Sequence, residues 1–222
     1  MTMIAVAAEH WTLLMQQWRT RFTVLGLSGL LTYLVVGQAL YPGFTDYWGY
    51  MVFQMLVTFA LLVAGEIVFR EQGGLSWITH VIAVATGYAD VFGTAGHLYS
   101  NWYHYDKITH FFGTAAVTAG AYDCLRCLRL RGVRSSWVEE RFAVALGIGV
   151  LVGIGWEVWE FIGDKVLNTS RIGGWHDTTN DLIFDTLGAL TTVFLLWRSE
   201  QGGGEQLLLE DSFADAGGPP SG

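Results

Sequence analysis

The sequence is short of charge. Only 14% of its 222 residues are Asp, Glu, Lys or Arg, against about 25% in an ordinary soluble domain. Hydrophobic residues make up 52%. This shortage, together with long apolar runs, excludes a typical soluble globule. It predicts an all-α, polytopic membrane protein, with about six transmembrane helices in one bundle.

Cysteine is scarce as well. The two thiols, Cys124 and Cys127, sit together in "CLRC" and have no second pair to complete a four-cysteine metal site. The spacing also suits a redox pair, with free thiols expected on a reducing side of the membrane. Basic residues number 12, and no patch of them has nucleic-acid character, so no nucleic-acid partner is expected. The net charge of −8 comes largely from a C-terminal tail and from acids inside apolar segments.

Six apolar segments can be read: 22–40, 47–69, 77–98, 107–125, 142–166 and 181–197. Several approach the ~20 residues that cross the hydrocarbon core. Tyr41, Tyr47, Trp48, Trp77, Tyr99, Trp102 and Trp197 gather near their ends, as interfacial aromatics do. Residues 1–21 read as an amphipathic interfacial helix rather than a signal peptide, because Ile4, Ala8, Trp11, Met15 and Trp18 recur at helical spacing. A plain extension of the first span is the alternative. Residues 22–198 form the transmembrane domain. The Gly-rich, acidic stretch 199–222 reads as a disordered tail.

The basic residues sort by side. Arg19, Arg21, Arg70, Arg126, Arg129, Arg131, Arg134, Arg141 and Arg198 fall on one face of a six-span topology, and Lys107, Lys165 and Arg171 on the other. The positive-inside rule then puts both termini in the cytoplasm of a bacterial inner membrane.

Within that topology the unusual acids agree on a side. Asp106 and His110, in "YDKITHFFGT", are four apart and share a helix face. Glu157 and Glu160, in "WEVWEF", are three apart. Asp177, Asp181 and Asp185, in "HDTTNDLIFD", repeat every four. All are placed near the extracytoplasmic surface. Asp106 and Asp181 also read simply as helix caps, and His110 as an interhelical hydrogen bond. Glu157, Glu160 and Asp185 lie too far inside their helices for capping.

A carboxylate inside a bilayer costs at least ~2.5–3.5 kcal/mol. Several together must be offset, by protonation or by a metal ion. Lys107 and Lys165 are expected to snorkel to water at the membrane edges and not to neutralise the group. Carboxylates with one imidazole suit Mg²⁺, Mn²⁺, Ca²⁺ or Zn²⁺. The candidate ligands are Asp106, His110, Glu157, Glu160, Asp181 and Asp185, with His110 and Glu160 as candidate acid/base groups. In the fifth segment, Gly149 and Gly153 stand at GxxxG spacing, which predicts close helix packing.

The blocks "YDKITHFFGT", "WEVWEF" and "DTTNDLIFDTLGAL", in that order, resemble the YjdF-like bacterial inner-membrane proteins, over residues 97–197. VanZ-like proteins are similar more loosely. The first resemblance implies a polytopic membrane protein whose family has no settled activity, with Asp106, His110, Glu157, Glu160, Asp181 and Asp185 as its motif residues. The second implies a link to glycopeptide resistance, and so to envelope lipids or wall precursors.

Three readings follow. One is a metal-dependent hydrolase or transferase acting on a lipid or lipid-linked phosphate. Another is a non-enzymatic membrane binding or stress-response protein. The third is a proton-coupled transporter with a titrating acidic cluster, working as a homo-oligomer. Membrane lipids are expected partners in each.

Overall fold

The computed structural model describes residues 3–41, 48–130, 138–166 and 172–215. Side chains are described for 18–41, 48–49, 51–130, 140–166 and 172–201. Among the described residues the chain is all helix. The elements are α1 (Met3–Leu40), α2 (Trp48–Val68), a 3-10 turn (Arg70–Gln72), α3 (Trp77–Ala95), α4 (Leu98–Asn101), α5 (Tyr105–Leu130), α6 (Val138–Val166) and α7 (Trp175–Asp215).

Local chemistry sets the breaks. Between α2 and α3, Gly73 and Gly74 take φ of 86° and 68°, a left-handed turn that side-chain-bearing residues avoid. Ser76 then caps α3, its hydroxyl accepting from the Thr79 N–H at 3.3 Å. Asp177 lies in the first turn of α7, where the helix dipole favours an anion.

Two layers of packing follow. Leu27, Leu30, Leu34, Met51, Met55, Val84 and Val91 form a core between α1, α2 and α3. Tyr122, Phe142, Ala145 and Leu196 form a smaller one between α5, α6 and α7. Helix α5 packs against α3, α6 and α7 and so joins the two. It runs antiparallel to α6 and parallel to α7. Gly149 of α6 lies against Thr118, and Gly153 against Asp185, so the GxxxG pair is a close-packing face.

The surface is inverted relative to a soluble protein. Leu25, Leu61 and Leu151 are 73%, 68% and 67% exposed, while His80, Thr118, Asp123 and Asp185 are buried. A bilayer asks for this arrangement, with polar groups satisfied inside and apolar groups facing lipid. Four helices, α1, α2, α6 and α7, contain stretches long and apolar enough to cross a membrane. The other two expected spans coincide with α3 and α5, but these do not qualify by their own composition. Helix α5 carries Asp106, Lys107, His110, Asp123 and Arg126. The expectation of six spans is therefore supported at four segments.

The expected boundaries at residues 21 and 199 do not interrupt the backbone. Helix α1 passes the first and α7 the second. The side chains before Trp18, on which the amphipathic reading rests, lie outside the described residues. So do the side chains after Gln201 and all of residues 216–222.

The end of the bundle holding Arg19 has its own polar network. Glu66 Oε1 accepts from the Leu75 N–H at 3.1 Å and lies 2.7 Å from His80 Nε2 and 3.8 Å from Arg19 Nε. Thr23 Oγ1 stands 2.6 Å from His80 Nδ1. Asp123 Oδ2, on α5, accepts from the Ser76 N–H and from the Thr79 hydroxyl, both at 2.6 Å. The contacts that tie Glu66 to α1 and α3 come from residues distant in sequence.

Candidate functional site

The opposite end of the bundle brings together the start of α5, the end of α6 and the start of α7. His110 is its centre and is 8% exposed. Its Nδ1 lies 3.2 Å and 3.3 Å from the two carboxylate oxygens of Asp185. The Thr114 hydroxyl donates to Asp185 Oδ1 at 2.5 Å, which fixes that carboxylate from the next turn of α5. The other ring nitrogen, Nε2, is 3.7 Å from Asp106 Oδ1 and 3.7 Å from Glu157 Oε1. A histidine that donates Nδ1–H to a carboxylate presents Nε2 in one tautomer and one orientation, as metal-binding histidines do.

Asp181 lies one turn of α7 before Asp185 and is 2% exposed. Ligand atoms of Asp106, His110 and Asp181 all fall within 4.8 Å of one another. Sequence reasoning had put six candidate ligands in one place. Five of them, Asp106, His110, Glu157, Asp181 and Asp185, share this cluster. Asp185 backs the ring of His110 rather than joining the group of three. Glu160 sits one turn toward the end of α6, with its carboxylate accepting from Trp156 Nε1 of the same helix at 3.1 Å.

Two oxygens stand out. Glu157 Oε1 and Asp181 Oδ1 are buried and have no hydrogen-bond partner among the described residues. Their residues are 6% and 2% exposed. A buried carboxylate oxygen without a partner is costly, by about 1–3 kcal/mol or more for a charged group. Both face the space around His110 and Asp106.

Lys107 corrects the sequence expectation. It does not reach out to water. It is 3% exposed and points into the cluster. Its ammonium makes a very short ion pair with Asp177. It also lies 3.5 Å from Asp106 Oδ2 and 3.3 Å from Asp181 Oδ1. The Asp181 approach is an ion pair by distance without hydrogen-bond geometry, which is why that oxygen remains without a partner. Five carboxylates, Asp106, Glu157, Asp177, Asp181 and Asp185, thus share one lysine and one histidine.

The chain belongs to the family described as "Predicted membrane protein (DUF2238)". Residues 23–202 match it, which takes in every residue of the cluster. A protein of Thermotoga maritima described as uncharacterized is 35% identical over 119 residues, 50% of this chain and 57% of that protein. The chain therefore spans less than two thirds of that relative's length. No solved structure matches. The family is one of membrane proteins of unsettled activity, as the resemblance implied. The comparisons do not carry the YjdF-like or VanZ-like names.

Two members of the site escaped the sequence reading. Thr114 is not among the candidate residues, although His110, Thr114 and Thr118 continue the four-residue stripe begun at Asp106. Lys107 was misplaced because position alone suggested an interface. Nearby, Tyr99 in the short α4 donates to Asp90 Oδ1 at 2.8 Å. Its burial, and then the Asp90 charge, push the phenol well above its usual range.

Proposed function

We propose that this protein holds a divalent cation between α5, α6 and α7, at the extracytoplasmic end of a six-helix bundle in a bacterial inner membrane. We further propose that the site acts on a lipid or lipid-linked phosphate. In this reading α3 and α5 also cross the membrane, screened by their neighbours, and both termini are cytoplasmic. Asp106, His110 Nε2 and Asp181 are the ligands, and Glu157 completes the set. The observation that carries the reading is the pair of buried oxygens, Glu157 Oε1 and Asp181 Oδ1, that lack hydrogen-bond partners beside the imidazole.

Oxygen ligands with one imidazole suit Mg²⁺, Mn²⁺ or Zn²⁺. Such an ion, held by these residues, would polarise a phosphoryl oxygen or lower the pKa of a bound water. The protein's own part is orientation. Thr114 holds Asp185, Asp185 holds His110, and His110 then faces Asp106 and Glu157. Glu157 reaches His110, 3.7 Å from its Nε2, and so joins the ligand set, whereas Glu160 accepts from Trp156 on its own helix and is left as the candidate acid/base. Trp159, Phe161 and Ile162 of α6 and Ile183 and Leu187 of α7 are exposed, so this end of the bundle would stand against lipid.

Lys107 favours a second reading. Its ammonium already offsets part of the acid charge, as it would in a cation-free cluster that only ties helices together, senses an ion or carries protons.

One experiment separates the two. The purified protein in detergent is analysed for bound metal and melted with and without Mn²⁺. A bound ion at 100 times its Kd stabilises by about 2.7 kcal/mol. The expected result is a raised melting temperature in the wild type and none in Asp181→Asn. Absence of metal, with no Mn²⁺ response in the wild type, would refute the cation site and leave the helix-tying reading.

A further inference from the structure

We infer that Lys107 is a tethered counter-cation that holds the site until a divalent ion displaces it. The inference rests on the proposed cation site and adds how that site is controlled. Two of the three candidate ligands, Asp106 and Asp181, are also ion-pair partners of the Lys107 ammonium. The third partner, Asp177, is not in the ligand group. An ion bound to oxygens at about 2.0–2.2 Å would stand a few ångströms from the ammonium, with like charge and the same two carboxylates, Asp106 and Asp181, to share. That repulsion weakens the hold of Lys107 on both.

The geometry gives Lys107 a way out. Its Nζ lies 5.1 Å from the ring centroid of Tyr103, on the rim of the cluster. Tyr103 is 65% exposed. A flexible four-carbon stem can carry the ammonium over that ring face, keeping a cation–π contact while leaving Asp106 and Asp181. Asp177 lies at the start of α7 and is 22% exposed in its side chain, so it can follow the lysine or be solvated. In the ion-free protein the lysine keeps the carboxylates from repelling one another. In the ion-bound protein it is released to the mouth of the site.

The chain has two lysines, so each can be followed separately. Lys107 is buried and Lys165 exposed. The protein in detergent is treated briefly with an amine-acylating reagent, with and without Mn²⁺, and both sites are quantified by mass spectrometry. Without the ion, Lys107 is expected to react far more slowly than Lys165. Mn²⁺ is expected to raise its labelling several-fold while leaving Lys165 unchanged. In parallel, Lys107→Met is expected to bind Mn²⁺ about tenfold tighter than wild type, a shift equal to about 1.4 kcal/mol. Its ion-free form is expected to melt at a lower temperature. If Mn²⁺ stabilises the wild type but leaves Lys107 protected, displacement is wrong and the cation site stands. If Mn²⁺ changes neither the melting nor the labelling of the wild type, both fall. The labelling arm needs no variant, so poor folding of Lys107→Met would not blunt the test.

Discussion

Gly153→Ala should destabilise the bundle, while the same exchange at Gly155, half a turn away on α6, should not. A β-carbon at position 153 would lie 2.5 Å from Asp185 Oδ2, 2.8 Å from its Cγ and 2.9 Å from its Cβ. The last of these cannot rotate away, because it is fixed to the α7 backbone. Either α6 and α7 separate, or Asp185 shifts and loosens its hold on His110 and Thr114. Overpacking of this kind costs about 1–3 kcal/mol. Alanine returns up to about 1 kcal/mol through its better helix propensity. The net expectation for Gly153→Ala is a loss of roughly 0–2 kcal/mol. At Gly155 a β-carbon would meet nothing within 4 Å, so only the gain remains. The two variants carry the same chemistry and should differ by roughly 1–3 kcal/mol, or roughly 2–12 °C in melting temperature for a chain of this size. Melting both in one detergent and following helical circular dichroism measures the difference. Equal melting points, or a higher one for Gly153→Ala, would mean that α6 and α7 do not approach at Gly153 as described.

Two further outcomes are expected. Asp123→Ala removes the acceptor of the half-buried Ser76 N–H and of the buried Thr79 hydroxyl, and should lower stability in a denaturant titration by about 1–3 kcal/mol; Asp123→Asn, which keeps an acceptor, should lose less, and an unchanged alanine variant would contradict the docking of α5 on the α2–α3 turn. Reporter fusions after Arg134 and after Ser199 should both read cytoplasmic, since the proposed six-span topology would put nine of the 12 basic residues on that side; a periplasmic signal at either would overturn the proposed outward-facing cluster.

Much of the candidate site was legible because helical periodicity does the sorting. Asp106 with His110, and Asp181 with Asp185, are one turn apart, so each pair had to share a face whatever the packing. Their agreement on one end followed from the alternation of helices, and Gly149 with Gly153 marked the close-packed face of α6. Glu157 and Glu160 show where periodicity stops. Both lie on roughly the same face of α6, yet it is Glu157 that comes within 3.7 Å of His110, while Glu160, a turn further on, accepts from Trp156.

The sequence by itself determined an all-helical chain with an apolar exterior, since 52% hydrophobic and 14% charged residues leave too little polar surface for water. It also determined which helix faces carry carboxylates. The tertiary structure alone decided which charges meet. Lys107 could have reached water or the protein interior with the same local sequence. It turns inward because α7 sets Asp177 and Asp181 within ion-pair distance, and no local pattern encodes a contact across 70 residues. Helix α5 shows the same division. Its polar composition argues against a span when read alone, but packing against α3, α6 and α7 gives Asp123, His110 and Lys107 partners that their own helix cannot supply. Hydropathy measures what a segment would expose to lipid if it stood alone, and α5 does not stand alone.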